Sequence, residues 1–267
     1  FNVESEGELH ALAAVARDEG RVASVALRCN PDVDPHTFHQ VTTGKMGTKF
    51  GMDPEVVKKI LTTFSSPHVE LNGLHFHLGS QITTTDPYRE AVKRILELMA
   101  SVKDHVKITR LNIGGGFGIF YDRATALPAD DYAREVLPLL AGTGLEILME
   151  PGRFVVGNAG ILVTRTLYQK VTADGHHYLI CDAGMSELIR PSLYQAFHRI
   201  WPVTSATPMP AWGEEVRTGV SYDVVGPICE STDALARDRL MPEVNPGDLL
   251  AVFSAGAYGM SMSSNYN

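Results

Sequence analysis

Thr109 to Ile119 reads TRLNIGGGFGI: five residues of strand character, Thr109 to Ile113, run straight into Gly114, Gly115 and Gly116, with Phe117 and Gly118 behind them. The same arrangement, a short apolar run ending in a polar or glycine-rich turn, recurs on either side. Val22 to Asn30 (VASVALRCN) leads to Pro31 and Asp32, Leu71 to Gly79 (LNGLHFHLG) to Ser80 and Gln81, and Leu145 to Glu150 to Pro151, Gly152 and Arg153. Glu8 to Glu19, Pro54 to Phe64, Tyr88 to Val102 and Tyr132 to Leu140 fill the intervals, with apolar residues at i, i+3 and i+4 spacing. Strands alternating with amphipathic helices predict βα units and a parallel sheet. The repeat of roughly 40 residues is that of a (β/α)8 barrel, whose active sites are built from the turns at the C-terminal ends of the strands. About half a barrel is expected, with Phe1 to Val3 as the tail of a further strand. A chain that starts on Phe1 and stops at Asn267 is expected to be a fragment cut at both ends, with the missing strands upstream.

After about Asn158 the pattern changes to short β-rich runs: Ile161 to Tyr168, His177 to Cys181, Tyr222 to Val225 and Leu249 to Phe253. The reading is therefore α/β plus β. Residues 1–157 form the partial barrel, and residues 158–267 form a truncated β domain of sandwich or barrel-like type. Val203 to Gly213 (VTSATPMPAWG) should be a loop, since its prolines and small residues sustain neither period.

The 267 residues carry 23 Lys+Arg against 31 Asp+Glu, a formal charge of −8, with no cationic cluster. That argues against nucleic acid, whose phosphates demand a basic footprint. No run approaches the ~18 apolar residues of a membrane helix. Cys29, Cys181 and Cys229 are widely spaced and odd in number, suggesting neither a disulfide framework nor a zinc site. A reducing, cytoplasmic setting and a small-molecule substrate are expected.

Gly114 to Gly118 lets backbone N–H groups approach a phosphate, although a merely tight βα turn reads equally well. Arg153 and Ser80, on neighbouring strand ends, make a convergent phosphate cup more plausible. Glu150 ends an otherwise apolar strand, where a barrel-facing carboxylate is costly to bury unless paired. Arg153 is its structural partner, and a cofactor ring nitrogen its functional one. His77 reads either as a satisfied core histidine or as a ring lying flat against a cofactor. His75 and His77 alternate onto one strand face, but no third ligand has suitable spacing, so no metal is expected. Cys229 reads either as an inert buried thiol or as a functional one, and Glu230 beside it as a surface carboxylate or a site residue.

NPDVD (Asn30 to Asp34), TGKMGTKFG (Thr43 to Gly51), GLHFHLGSQI (Gly73 to Ile82), NIGGGFGI (Asn112 to Ile119) and EPGR (Glu150 to Arg153) follow one another in the first part. DAGMSELIRPSLYQAFHRI (Asp182 to Ile200), VGPICES (Val225 to Ser231) and AGAYGMSMSSNYN (Ala255 to Asn267) follow in the second. This motif order resembles the diaminopimelate decarboxylases, fold-type III, alanine-racemase-like enzymes that use pyridoxal 5'-phosphate. The resemblance implies a homodimer whose active sites are completed by the β domain of the partner subunit. It implies that His77 stacks on the pyridine ring, that Glu150 pairs with the ring nitrogen, and that Ser80, Gly115, Gly116 and Arg153 hold the phosphate, with Tyr258 nearby. It places Arg190, Tyr194 and Glu230 on the substrate, and makes Cys229 the acid that returns a proton to Cα. The implied reaction converts meso-2,6-diaminopimelate to L-lysine and CO2. A decarboxylase of the ornithine, arginine or carboxynorspermidine type is the alternative, as is a non-catalytic truncated homologue. The family's Schiff-base lysine belongs to an early barrel strand and is expected upstream of Phe1; Lys45 and Lys49 lie in a different motif and do not replace it.

Overall fold

The computed structural model describes residues 1–34, 44, 47–122 and 126–267. Lys45, and Thr43 at the head of its motif, lie outside the described residues. The chain divides into two units, one of residues 1–118 and 126–151, the other of residues 119–125 and 152–267.

The first unit holds a five-stranded sheet in the order β1 (Asn2–Val3), β2 (Ala23–Arg28), β3 (Val69–His75), β4 (Arg110–Asn112) and β5 (Glu146–Leu148), every pair parallel. Helices α1 (Glu6–Asp18), α2 (Pro54–Thr63), α3 (Asp86–Val102) and α4 (Ala129–Leu140) provide the crossovers that parallel neighbours require. Their starts are written locally. Ser5 Oγ accepts the Glu8 N–H at 3.1 Å, Glu6 and Glu8 stand in the first turn of α1 where the helix dipole favours anions, and Pro54 opens α2. Tyr88, Ala91, Val92, Ile95 and Val102 form the buried stripe of α3, and Tyr132, Val136 and Leu140 that of α4. All four expected strands and all four expected helices of this unit are present, and Phe1 to Val3 supplies the added strand β1.

Two expectations are corrected here. The ladder of β3 closes at His75, so His77 sits in the turn beyond the strand, not on one strand face with His75. The strand expected to carry Glu150 ends at Leu148, and the Glu150 side chain is 45% exposed. Among the described residues β5 is the edge of its sheet, and Leu148 and Met149 are exposed with it.

The second unit begins with α5 (Gly152–Val156) and builds a six-stranded mixed sheet in the order β10-β9-β7-β6-β11-β8. Its strands are β6 (Leu162–Val171), β7 (His177–Cys181), β8 (Ile200–Pro202), β9 (Val220–Val225), β10 (Ala234–Met241) and β11 (Leu249–Val252); α6 (Arg190–Tyr194) follows β7. Among the described residues of this sheet only β7 and β9 pair in parallel. Leu179, Cys181, Leu188, Ile200, Tyr222, Val224, Leu235, Met241, Leu250 and Val252 make its core. Residues 203–213 carry no regular element, as their composition requires. The structure is a partial parallel barrel sheet with its helices and a β domain. No helix among the described residues is long and apolar enough to cross a membrane.

Candidate active site

In the first unit the chemistry gathers where β3, β4 and β5 end. Gly114 and Gly116 adopt φ of 67° and 97°, the left-handed region that L side chains avoid. A Cβ on Gly114 would press on the Phe76 carbonyl and His77 Nδ1. On Gly115 it would run into the Glu150 carbonyl, and on Gly116 into that of Gly79. Backbone crowding, and not only ligand access, dictates the glycines.

The N–H groups of this turn are unequal. Gly114 N–H donates to Asn112 Oδ1 at 2.9 Å, Gly115 N–H to His77 Nδ1 at 3.0 Å and Gly118 N–H to the Ile82 carbonyl at 2.9 Å. Gly116 N–H meets no protein acceptor among the described residues, which leaves it available to a ligand anion. Tyr88 fixes the turn by donating to the Gly115 carbonyl at 2.8 Å while its ring stacks on Phe117 at 4.8 Å. Gly116→Ala, which adds a clash with Gly79 at a positive φ, is expected to weaken binding of a phosphate-bearing ligand at this turn by at least about tenfold, measured by ligand titration.

His77, half-buried, accepts from the backbone through Nδ1, so its neutral ring carries the proton on Nε2. Burial, seconded by the Arg28 charge, pushes its pKa down and favours that neutral form. The ring is thereby oriented by the glycine turn itself. Ser80 lies half-buried in the same connection.

Glu150 Oε1 accepts from Asn112 Nδ2 at 2.7 Å and from Asn2 Nδ2 at 3.2 Å. His75 Nε2 lies 3.6 Å away, close enough for an ion pair if charged. Burial drives the His75 pKa to about 4, against the pull of Glu150, so at neutral pH the contact joins a carboxylate to a neutral ring. Behind it Arg28 pairs with Glu4, which also accepts the Gly51 N–H at 3.0 Å. Burial raises the Glu4 pKa, but these donors outweigh it and hold the carboxyl ionised. Glu150 is thus a carboxylate gripped by two amide donors.

In the second unit Arg153 and Arg190 are both buried. Arg153 Nη1 donates to Tyr121 Oη at 2.5 Å and its guanidinium lies 4.9 Å from the Tyr258 ring centroid. Arg190 stacks on Tyr121 at 4.7 Å and donates through Nη1 to His198 Nε2 at 2.8 Å. His198 Nδ1 donates to the Phe253 carbonyl at 2.8 Å, which fixes the Nδ1–H tautomer and makes Nε2 the acceptor. Burial first, then the Arg190 charge, pushes His198 to about 4. Tyr194 closes α6 half exposed, and Cys229 and Glu230 lie exposed on the turn between β9 and β10, where Tyr266 Oη donates to Glu230 Oε1 at 2.5 Å.

The structure thus groups His77, Gly115, Gly116 and Glu150 in one unit, and Arg153, Arg190 and Tyr258 in the other. Asn112, Tyr121 and His198 were not singled out from sequence. Asn112 and His198 sit inside quoted motifs, but nothing in their spacing marks them. Among the described residues no group of three or more His, Cys, Asp or Glu is placed to hold a metal.

The buried neutral histidines set a pH dependence. Each has a folded pKa of about 4 against 6.5 unfolded, so the unfolded chain takes up protons first as pH falls. Stability is present in full above pH 6.5 and is lost on the way to 4, at roughly 2 kcal/mol per histidine by pH 5. The melting temperature is expected to hold above pH 7 and fall steadily from 6.5 to 5; a flat profile contradicts the neutral assignment.

The model of the family described as "Pyridoxal-dependent decarboxylase, pyridoxal binding domain" matches residues 1–157. The chain belongs to the pyridoxal-dependent decarboxylases. It is 44% identical to a diaminopimelate decarboxylase of Aquifex aeolicus and 41% to one of Vibrio cholerae, in each case over 100% of this chain and 62% of the relative. The crystal structure of diaminopimelate decarboxylase from Helicobacter pylori complexed with L-lysine superposes with a TM-score of 0.90 at 35% identity, covering 100% of this chain and 64% of that one. The chain therefore spans somewhat under two thirds of the length of these relatives.

The cofactor of this family is pyridoxal phosphate, and the residues present fit it. A free Gly116 N–H in a turn that admits no Cβ suits a phosphate oxygen. The neutral, backbone-oriented ring of His77 suits an aromatic face. The amide-held carboxylate of Glu150 suits a protonated ring nitrogen.

Proposed function

We propose that the protein decarboxylates meso-2,6-diaminopimelate to L-lysine and CO2. Sequence likeness to diaminopimelate decarboxylases over the whole chain supports this reading. The observation that carries it is Arg190, 7% exposed, with no carboxylate partner among the described residues. A buried guanidinium is costly unless an anion meets it, and diaminopimelate, unlike ornithine or arginine, brings a second carboxylate.

When bound, pyridoxal phosphate supplies an electron sink for the pair left by the departing carboxylate. Glu150 holds a proton on the ring nitrogen. His77 presents its ring face, Ser80 and Gly116 bind phosphate oxygens, Gly115 allows the close approach, and Arg153 supplies the positive charge, with Tyr258 against it. Arg190 takes the distal carboxylate in a bidentate fork. Tyr194 and Glu230 fix the distal amino group. Departure of CO2 leaves an electron pair at Cα, and the Cys229 thiol delivers the proton that quenches it, recovering its own from solvent. We propose that Cys229 comes from the partner subunit of a homodimer, and that the protein works in the cytoplasm, where its free thiols persist.

The test is CO2 release by the full-length protein. Turnover of meso-diaminopimelate and none of ornithine or arginine is expected. Release from the latter two alone would replace the substrate with one lacking the distal carboxylate, and release from none would favour a non-catalytic homologue.

A further inference from the structure

The turn that carries Cys229 and Glu230 is pinned by a carboxylate four residues beyond the thiol. Asp233 is 4% exposed. Its Oδ1 accepts the Met185 N–H at 2.6 Å and its Oδ2 the Ile228 N–H at 2.7 Å. One side chain thereby ties the residue next to Cys229 to the DAGM turn that follows β7. Main-chain bonds close the same loop: Gly226 N–H to the Asp233 carbonyl at 3.2 Å, Glu230 N–H to Ile228 at 2.8 Å, and Asp233 N–H to Glu230 at 3.0 Å.

The surrounding sequence is shaped to admit this carboxylate. A Cβ on Gly184 or on Gly226 would run into the Asp233 oxygens and into the other glycine's Cα. Among the described residues no cation pairs with Asp233; its charge is met by backbone N–H groups. Burying a carboxylate this way costs more than burying an apolar side chain of the same size. It also lies outside the apolar core of the sheet. What the charge delivers is geometry, because charge-assisted bonds to two N–H groups fix a loop that apolar contact would leave free to slide.

Resting on the function proposed above, we propose that Asp233 is the positioning residue that holds Cys229 and Glu230 in their working places. Arg237, donating to the Ser231 carbonyl at 2.8 Å, and Ser192, donating to that of Thr232 at 2.7 Å, brace the far end of the turn.

The test compares wild-type and Asp233→Asn full-length holoenzyme. The asparagine keeps the volume but turns one acceptor into a donor facing an N–H. Amide exchange over residues 226–231 is expected to quicken at least about tenfold while β7 and β9 keep their protection. In the same variant kcat is expected to fall at least about tenfold with cofactor affinity unchanged. Exchange that quickens throughout the β sheet would reduce Asp233 to a structural role and overturn the proposal. So would an unchanged kcat, or an unchanged turn. If the variant does not fold, the wild-type protein decides: slow exchange at Ile228 and Met185 supports the tether, and exchange as fast as at exposed Ser231 overturns it. Cys229→Ala separates the two readings, since full activity there defeats the proton-donor assignment whatever the exchange data show.

Discussion

Glu150→Gln is expected to lower kcat by about 10²–10³-fold, the scale on which removing one preorganised electrostatic group from an active site is felt. The carboxylate sits where two amide donors converge: Asn112 Nδ2 at 2.7 Å and Asn2 Nδ2 at 3.2 Å both point at Oε1. On the function proposed above, a glutamine at this place would lose the charge assigned to keep a ring nitrogen protonated. It must also turn its own carbonyl toward the asparagines, leaving its NH2 facing the ring. The cost falls on chemistry more than on the fold, because the exchange keeps the side chain's volume and an acceptor for both asparagines, and the nearby His75 is neutral at pH 7. The melting temperature should stay close to that of wild type, since a volume-conserving exchange opens no cavity. Steady-state kinetics on meso-diaminopimelate, paired with cofactor titration, check both halves. A kcat equal to wild type would remove Glu150 from the reaction, and loss of the cofactor would make it a binding group instead.

The same residue shows where reading the sequence stops. The strands and helices of the first unit follow from apolar periodicity, because each βα unit buries one face and punctuates its end with glycine or proline. Glu150 was placed at the end of an apolar strand by that logic, yet the ladder ends two residues earlier, at Leu148, a matter of strand pairing that local pattern does not carry. In the second unit β10 escaped notice because its sequence, ALARDRLM, puts arginine, aspartate and arginine in the middle of a strand. They are tolerated there because Arg237 pairs with Asp223 and Arg239 donates to the His198 carbonyl, partners far away in sequence, and because Asp238 takes φ of 49° where the register shifts. The five-residue α6 is too short to show a helical period at all. Site residues with a chemical signature, the glycines, histidines, arginines and the cysteine, stood out. Asn112 and Asp233 did not, since a hub is defined by what it bonds and not by its own type.

Arg190→Ala is expected to raise KM for meso-diaminopimelate by about 30- to 5 × 10³-fold, the equivalent of the 2–5 kcal/mol that a buried charge pair loses when one partner is removed. The guanidinium is preorganised on two sides before any substrate arrives. Tyr121 lies under it at 4.7 Å, and His198 Nε2 holds Nη1 at 2.8 Å through a tautomer that the Phe253 carbonyl dictates. The neutral His198 takes up one donor without cancelling the charge, so the remaining N–H groups would meet a substrate carboxylate with full electrostatic strength. Arg190→Lys should recover only part of the loss, because an ammonium keeps the charge but cannot present two parallel N–H bonds or stack flat on the tyrosine. Alanine also strips His198 of its donor and of a repelling charge, so the His198 pKa should climb from about 4 and the acid loss of stability should begin at higher pH. That gives a second readout in the absence of substrate. Cofactor affinity should be untouched; if it falls in step with the rise in KM, Arg190 holds the cofactor and the distal carboxylate must be bound elsewhere.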